Sequence, residues 1–165
     1  MCSLPGKIRK EETLRRFAGW IVVPSVFILD RLSKILVLKH LREGEGFPVW
    51  PGVFHITRVN NTGAAFGLWR DSSAQLAAVT LLSVAAISVY LALASGKGQG
   101  RNFYGWALVM AGALGNLYDR VHFGYVIDYL DFRVWPVFNA ADTAICLGVF
   151  WVLLNAVWKN ASHPS

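Results

Sequence analysis

Only two cysteines occur in this chain, Cys2 near its start and Cys146 inside an apolar run. They supply neither a disulfide framework nor a CxxC pair, so a cystine-stapled fold and a thiolate metal site are both excluded. Histidine is scarce as well. His40, His55, His122 and His163 show no HxxxH or HExxH spacing, which leaves no zinc-protease signature. Walker A and GxGxxG patterns are missing, and with them the common nucleotide-binding readings. Internal repeats are absent, which weakens a transporter built from two related halves. Charged residues make up only 16% of the 165, against about 25% in soluble domains.

Apolar residues are abundant instead. They account for 55% of the chain, and the mean hydropathy is +0.42. These values exclude a disordered or low-complexity chain. They also argue against a nucleic-acid-binding protein despite a net charge of +6. In a membrane protein such positive charge reports orientation.

Four apolar runs stand out, at about 17–38, 74–94, 103–121 and 141–158. Each approaches the roughly 20 residues that cross a hydrocarbon core about 30 Å thick. Backbone groups in lipid must be satisfied internally, so the runs predict four transmembrane helices. The first is too long for the h-region of a signal peptide, about 7–15 residues, and no A-x-A site follows it. It is expected to be a retained span. Residues 1–16 carry five Lys/Arg, and the segments 1–16, 95–102 and 159–165 carry eight against five in 39–73 and 122–140. The bias predicts cytoplasmic termini, with 1–16 and 159–165 as cytoplasmic segments around a membrane domain over 17–158. Trp20, Trp106 and Trp158 then fall near the inner interface, and Trp50, Trp69 and Trp135 near the outer one. The outer segments are more than linkers. A β-favouring run over 53–59 leads into a turn-rich Asn-Asn-Thr-Gly, and 125–135 is rich in β-branched and aromatic residues. A small extracytoplasmic β-element is expected from 39–73 and 122–140. In the third run, Ala107, Ala111 and Gly115 form a small-residue stripe suited to close helix packing in lipid.

Ionisable residues within membrane spans are costly and are candidates for function. Asp30 lies about 20 Å along the first helix from Phe17, and Asp119 about 24 Å along the third from Phe103, at roughly 1.5 Å per residue. Asp30, Lys34, Asn61, Asn116, Asp119, Arg120, Asp128, Asn139 and Asp142 therefore all fall near one plane, at the outer face. Simpler roles are open to each. Asp30 and Lys34 have the spacing of a helical ion pair. Asn139 can cap the fourth helix with Asp142 three residues on. Asn116, Asp119 and Arg120 share a face and could satisfy one another. Asp131 and Arg133 read as an exposed pair on one strand face. Asp128 falls on the opposite face with Leu130 and Phe132.

Five segments carry a recognisable pattern: Asp30-Arg-Leu-Ser-Lys34, Asn61-Thr-Gly-Ala-Ala-Phe-Gly67, Gly115-Asn-Leu-Tyr-Asp-Arg120, Gly124-Tyr-Val-Ile-Asp128-Tyr129 and Phe138-Asn-Ala-Ala-Asp142. In these segments, and in their order, the chain resembles the lipoprotein signal peptidases (signal peptidase II) over about residues 17–158. Arg31 and Ser33 stand where Gln and Thr are common, and Ile127 and Tyr129 where Val and Phe are. The resemblance implies an α-helical integral membrane protein with four transmembrane helices and an extracytoplasmic β-cradle, in the bacterial cytoplasmic (inner) membrane with its active site at the outer face. It implies aspartic endopeptidase activity that removes signal peptides from diacylglyceryl-modified prolipoproteins, just before the lipidated cysteine. Catalysis maps onto Asp128 and Asp142. Support maps onto Asp30, Lys34, Asn61, Asn116, Asp119, Arg120 and Asn139, with Asn61 and Arg120 at positions that hold the peptide backbone. It implies no metal and no cofactor. The implied partners are lipidated prolipoproteins, membrane lipid and globomycin-type inhibitors, with no nucleic acid. Oligomeric state stays open, a monomer being the simpler expectation.

The chemistry is coherent from below. Two close carboxylates cannot both ionise easily, so one keeps a proton. The ionised one can activate water and the other protonate the leaving amine. Three other readings compete: a Ser/Lys peptidase using Ser33 and Lys34, a small transporter or channel, and a structural membrane subunit. Ser33 and Lys34 are adjacent, about 100° apart on a helix, and do not face each other.

Overall fold

The structure, a computed structural model, describes residues 5–63, 72–94 and 100–161, with side chains described for 21–63, 72–93 and 102–158. The interfacial placement expected of Trp20 and Trp69, residues 64–67 of the Asn61–Gly67 segment and the terminal residues 1–4 and 162–165 lie outside them. Four helices dominate: α1 (Pro5–His40), α2 (Ser73–Ala94), α3 (Gly100–Phe123) and α4 (Ala140–Ala161). Three strands, β1 (Gly46–Trp50), β2 (Phe54–Asn61) and β3 (Val126–Asp131), form one antiparallel sheet in the order β1-β2-β3. Each expected apolar run lies within a helix. α1 begins at Pro5, well before the expected start near 17, and continues through Pro24.

Helix α3 is the hub, packing against α1, α2 and α4. Phe103, Ala107 and Met110 of α3 meet Ile87 and Leu91 of α2 in one buried cluster. The approach to α4 depends on glycine: a Cβ on Gly112 would collide with the Ala141 carbonyl, and one on Gly148 with the Gly105 carbonyl. The expected stripe is buried at Ala107 and Ala111. The closest approach to α4, however, runs along Gly105 and Gly112.

Apolar side chains cover much of the outside. On α1, Ile28, Leu29, Leu32, Ile35 and Leu36 are all exposed, while Asp30 and Lys34 on the same helix are buried. Two helical stretches, Ser73–Leu93 and Ala140–Trp158, are long and apolar enough to cross a membrane by length and composition.

The sheet sits at the end of the bundle where α1 stops, α3 stops and α4 starts. Gly124, at φ +77°, makes the corner from α3 into β3, a conformation that costs glycine little. Val37 of α1 packs on Ile127 and Tyr129 of β3. Two sequence expectations need correction. Asn60 and Asn61, read as the start of a turn, remain in β2 and pair with Ile127 and Val126. Asp131, read as exposed, is buried. β3 is covered on both faces, so strand alternation does not translate into exposure there.

Candidate active site

The site is built where α3, α4 and the ends of β2 and β3 meet. Asn139 comes just before α4 and caps it. Its Oδ1 accepts from the Asp142 N–H at 2.9 Å, and the Asp142 carboxylate accepts from the Asn139 N–H at 3.2 Å. This reciprocal pair is a capping box, which fixes Asp142 in the first turn of α4. The simple reading of Asn139 as a cap therefore holds, and the residue does more. Its side-chain Nδ2 donates to Asp128 Oδ1 at 2.6 Å. One amide thus touches both aspartates.

Asp128 lies on β3 with 2% of its surface exposed. Its second oxygen accepts from Asn61 Nδ2 at 2.9 Å. Asn61 is itself held by the Gly63 N–H, which donates to its Oδ1 at 3.0 Å. Burial pushes the Asp128 carboxyl up, and the neighbouring Asp142 charge pushes it further. The amides of Asn61 and Asn139 and the Lys34 charge pull it partly back, leaving it at about 7. A carboxyl at that value can hold or release a proton near neutrality. Asn116 completes the link. It donates to Asp142 Oδ1 at 2.7 Å and accepts from Lys34 Nζ and Asn139 Nδ2, both at 3.1 Å.

Behind this row lies a buried charge network. Lys34 Nζ is 3.0 Å from Asp30 Oδ2 and 2.7 Å from Asp119 Oδ2. The Asp30–Lys34 pair is therefore formed as its spacing suggested. Arg31 joins it, reaching Asp30 at 2.8 Å and Asp119 at 2.6 Å. Asp119 is thus satisfied by α1 and not by Arg120, correcting the expectation that Asn116, Asp119 and Arg120 pair among themselves. Among the described residues Arg120 forms no ion pair, and its Nε is buried without a hydrogen-bond partner. Sequence reasoning missed Arg31, setting it aside as a departure from the pattern. Its signal was charge balance, since two buried acids flanking one lysine call for a second cation.

The same geometry disfavours a Ser/Lys pair. The Lys34 ammonium is clamped by two carboxylates, and the Ser33 hydroxyl donates to the Asp30 carbonyl at 2.9 Å while accepting from Tyr129 Oη at 2.7 Å. Asp131 belongs to a separate cluster. It accepts from Thr57 Oγ1 at 2.8 Å and from the Arg133 N–H at 2.9 Å. Burial pushes its carboxyl up, but these donors and the Arg133 and His55 charges outweigh that and hold it below the usual range.

A cavity of about 1090 Å³ opens over the row. One wall is polar, formed by Asn61, Asn116, Arg120, Asp128 and Asp142. The rest is largely apolar, with Val126, Trp135, Phe138, Ile145 and Leu147 among its residues. Of the nine residues expected at the site, these five line the cavity, and Asn139 hydrogen-bonds to Asn116, Asp128 and Asp142 without lining it. Asp30, Lys34 and Asp119 stand behind it.

The family model for signal peptidase (SPase) II matches residues 22–158. The chain is 41% identical over 141 residues to the lipoprotein signal peptidase of Halothermothrix orenii, covering 86% of this chain and 95% of that one. It is 43% identical over 146 residues to the lipoprotein signal peptidase of Pelotomaculum thermopropionicum, covering 86% and 95%. A solved bacterial membrane enzyme superposes with a TM-score of 0.77 at 28% identity, over 90% of this chain and 92% of that one. A second gives 0.72 at 27% identity, over 84% and 92%. By sequence along most of its length, and by fold, this chain belongs to the signal peptidase II family.

Proposed function

We propose that this chain is a membrane-embedded aspartic endopeptidase that removes the signal peptide from diacylglyceryl-modified prolipoproteins, with Asp128 and Asp142 as its catalytic pair. The observation that carries the reading is Asn139, whose amide and backbone hold both carboxylates at the polar wall of one large cavity. Family membership supports the reaction, since the curated relatives are named lipoprotein signal peptidases.

All four helices span the bilayer with both termini cytoplasmic, which sets the pair at the outer face. Support comes from the Lys/Arg bias of the sequence and from the exposed apolar stripe of α1, which needs lipid against it. α3 needs less outward apolar surface because three helices surround it. In the reaction the pair shares one proton, since the Asp142 charge helps hold the Asp128 carboxyl up near 7. The ionised member takes a proton from water as it attacks the scissile carbonyl. The protonated member hydrogen-bonds that carbonyl, then donates to the leaving amine. The two pKa values belong to the pair, so acid and base roles are not divided between the residues. Arg120, at the polar wall and with no ion pair among the described residues, offers donors to the peptide backbone. The apolar part of the cavity suits the diacylglyceryl group.

The test is incubation of the purified protein with a lipidated precursor, with and without globomycin. Cleavage before the lipidated cysteine that globomycin blocks, and that Asp128→Asn and Asp142→Asn each abolish, is the expected result. An active Asp128→Asn variant refutes the assignment.

A further inference from the structure

Asp30 and Asp119 each spend one oxygen on a backbone N–H. The Ala141 N–H donates to Asp30 Oδ1 at 3.1 Å, and the Ile127 N–H donates to Asp119 Oδ2 at 3.2 Å. Ala141 immediately precedes Asp142, and Ile127 immediately precedes Asp128. Each supporting carboxylate therefore grips the chain one residue before a member of the pair. Asp30 belongs to α1 and Asp119 to α3, and they are tied to each other only through cations.

Lys34 is one of those cations, a compact point charge that Asn116 also engages. Arg31 is the other, and its geometry is different. Its two terminal nitrogens go to different acids: Nη2 to Asp30 Oδ2 at 2.8 Å, Nη1 to Asp119 Oδ1 at 2.6 Å. Nη2 also donates to the Gly115 carbonyl at 3.3 Å. The guanidinium carbon lies 4.6 Å from the centre of the Tyr118 ring and 5.9 Å from that of Phe27. A planar fork held against aromatic rings has little freedom, so the separation of its nitrogens fixes the separation of the two acids. Gly115 makes room, because a Cβ there would lie 2.6 Å from Asp30 Oδ2.

We propose that Arg31 is a positioning residue for the reaction: by bridging Asp30 and Asp119 it sets the spacing of the backbone before Asp142 and before Asp128, and so the spacing of the two catalytic carboxylates. The inference rests on the assignment of that pair under the proposed function. Arg31 is not among the residues that line the cavity. Its loss therefore acts on the chemical step and not on binding.

The experiment measures kcat and KM for the full chain in detergent on a lipidated precursor peptide, using monodisperse protein. Arg31→Met, Arg31→Lys and Asp128→Asn are compared with the parent. Arg31→Met keeps the bulk and removes the fork, and its kcat is expected to fall about ten- to hundredfold, as a pair misplaced by an ångström would require. KM stays within about twofold. Arg31→Lys, which can engage the acids only as a point charge, gives an intermediate kcat at the same KM. A monodisperse Arg31→Met with the parent kcat, or a loss carried by KM, overturns the inference. If Arg31→Met does not yield monodisperse protein, Arg31→Lys decides, and the parent kcat in that variant overturns it. Inert Asp128→Asn beside fully active Arg31 variants refutes this inference alone. Active Asp128→Asn refutes the assignment of the pair, and this inference with it.

Discussion

Replacing Asp128 by Asn tests the site through stability as well as activity. The Asp128 carboxyl sits at about 7 in the folded protein, against 3.8 for an ordinary aspartate. Between those values the folded state holds a proton that the unfolded chain has released, so wild-type stability falls as pH rises. Asn cannot ionise and lacks this slope. From pH 5 to the folded value near 7 the slope runs for two units at about 1.4 kcal/mol each, so the balance should move toward the variant by about 3 kcal/mol between pH 5 and pH 8. A fixed penalty opposes it. Both carboxylate oxygens accept from amide NH2 groups, those of Asn139 and Asn61. An Asn here turns an NH2 group toward one of them, which costs about 1–3 kcal/mol at every pH. Whatever the size of that penalty, the variant should gain about 3 kcal/mol on the wild type between pH 5 and pH 8, while cutting nothing. Thermal unfolding of both proteins in one detergent at the two pH values measures this. A stability difference that stays constant with pH, or moves toward the wild type at pH 8, refutes the account of a buried carboxyl held up near neutrality.

Asn61→Ala removes one of the two amides that pull the Asp128 carboxyl down. The limb of the pH–rate profile that reports its ionisation should move to higher pH; an unmoved limb would leave Asn61 with substrate binding only. Gly112→Ala drives a methyl group into the Ala141 carbonyl beside Asp142, and should lower both the unfolding temperature and kcat; parent values for both contradict the packing. Asp131→Asn should retain cleavage and lose about 1 kcal/mol of stability with its Thr57 hydrogen bond, and a dead but folded variant would place the chemistry on the wrong strand face. A cysteine introduced at Glu45 should react with an impermeant external label and one at Ser95 should not, with the reverse pattern inverting the proposed topology.

Much of this architecture was legible in the chain because lipid imposes long apolar runs: each of the four lies within a helix, and α2 and α4 end within a few residues of the expected bounds. The polar plane was legible for the same reason: charges rare enough to count can be located by depth along a helix. What escaped was set by tertiary contact. Asp131 looked solvent-facing by strand alternation, yet β2 supplies Thr57 and the left-handed turn at Arg133, φ 64°, folds its own N–H back onto the carboxylate. Asn60 and Asn61 have turn chemistry, but pairing with β3 keeps them extended. Arg31 is one residue from Asp30 in sequence, and only the fold reveals that its other arm reaches Asp119 on α3.

The distribution of the site along the chain has a consequence for how the protein is made. Asp30, Arg31 and Lys34 lie in the first helix, while Asn139 and Asp142 belong to the start of the last. On the proposed topology and catalytic pair, a nascent chain that has threaded three helices into the bilayer would have its brace but only one of the two acids, and that acid would lack the amide that joins it to the other. On that reading hydrolytic capacity would arrive in a single late event, when the fourth helix inserts and Ala141 docks on Asp30. A ribosome stalled before that point would then leave an inert bundle in the membrane.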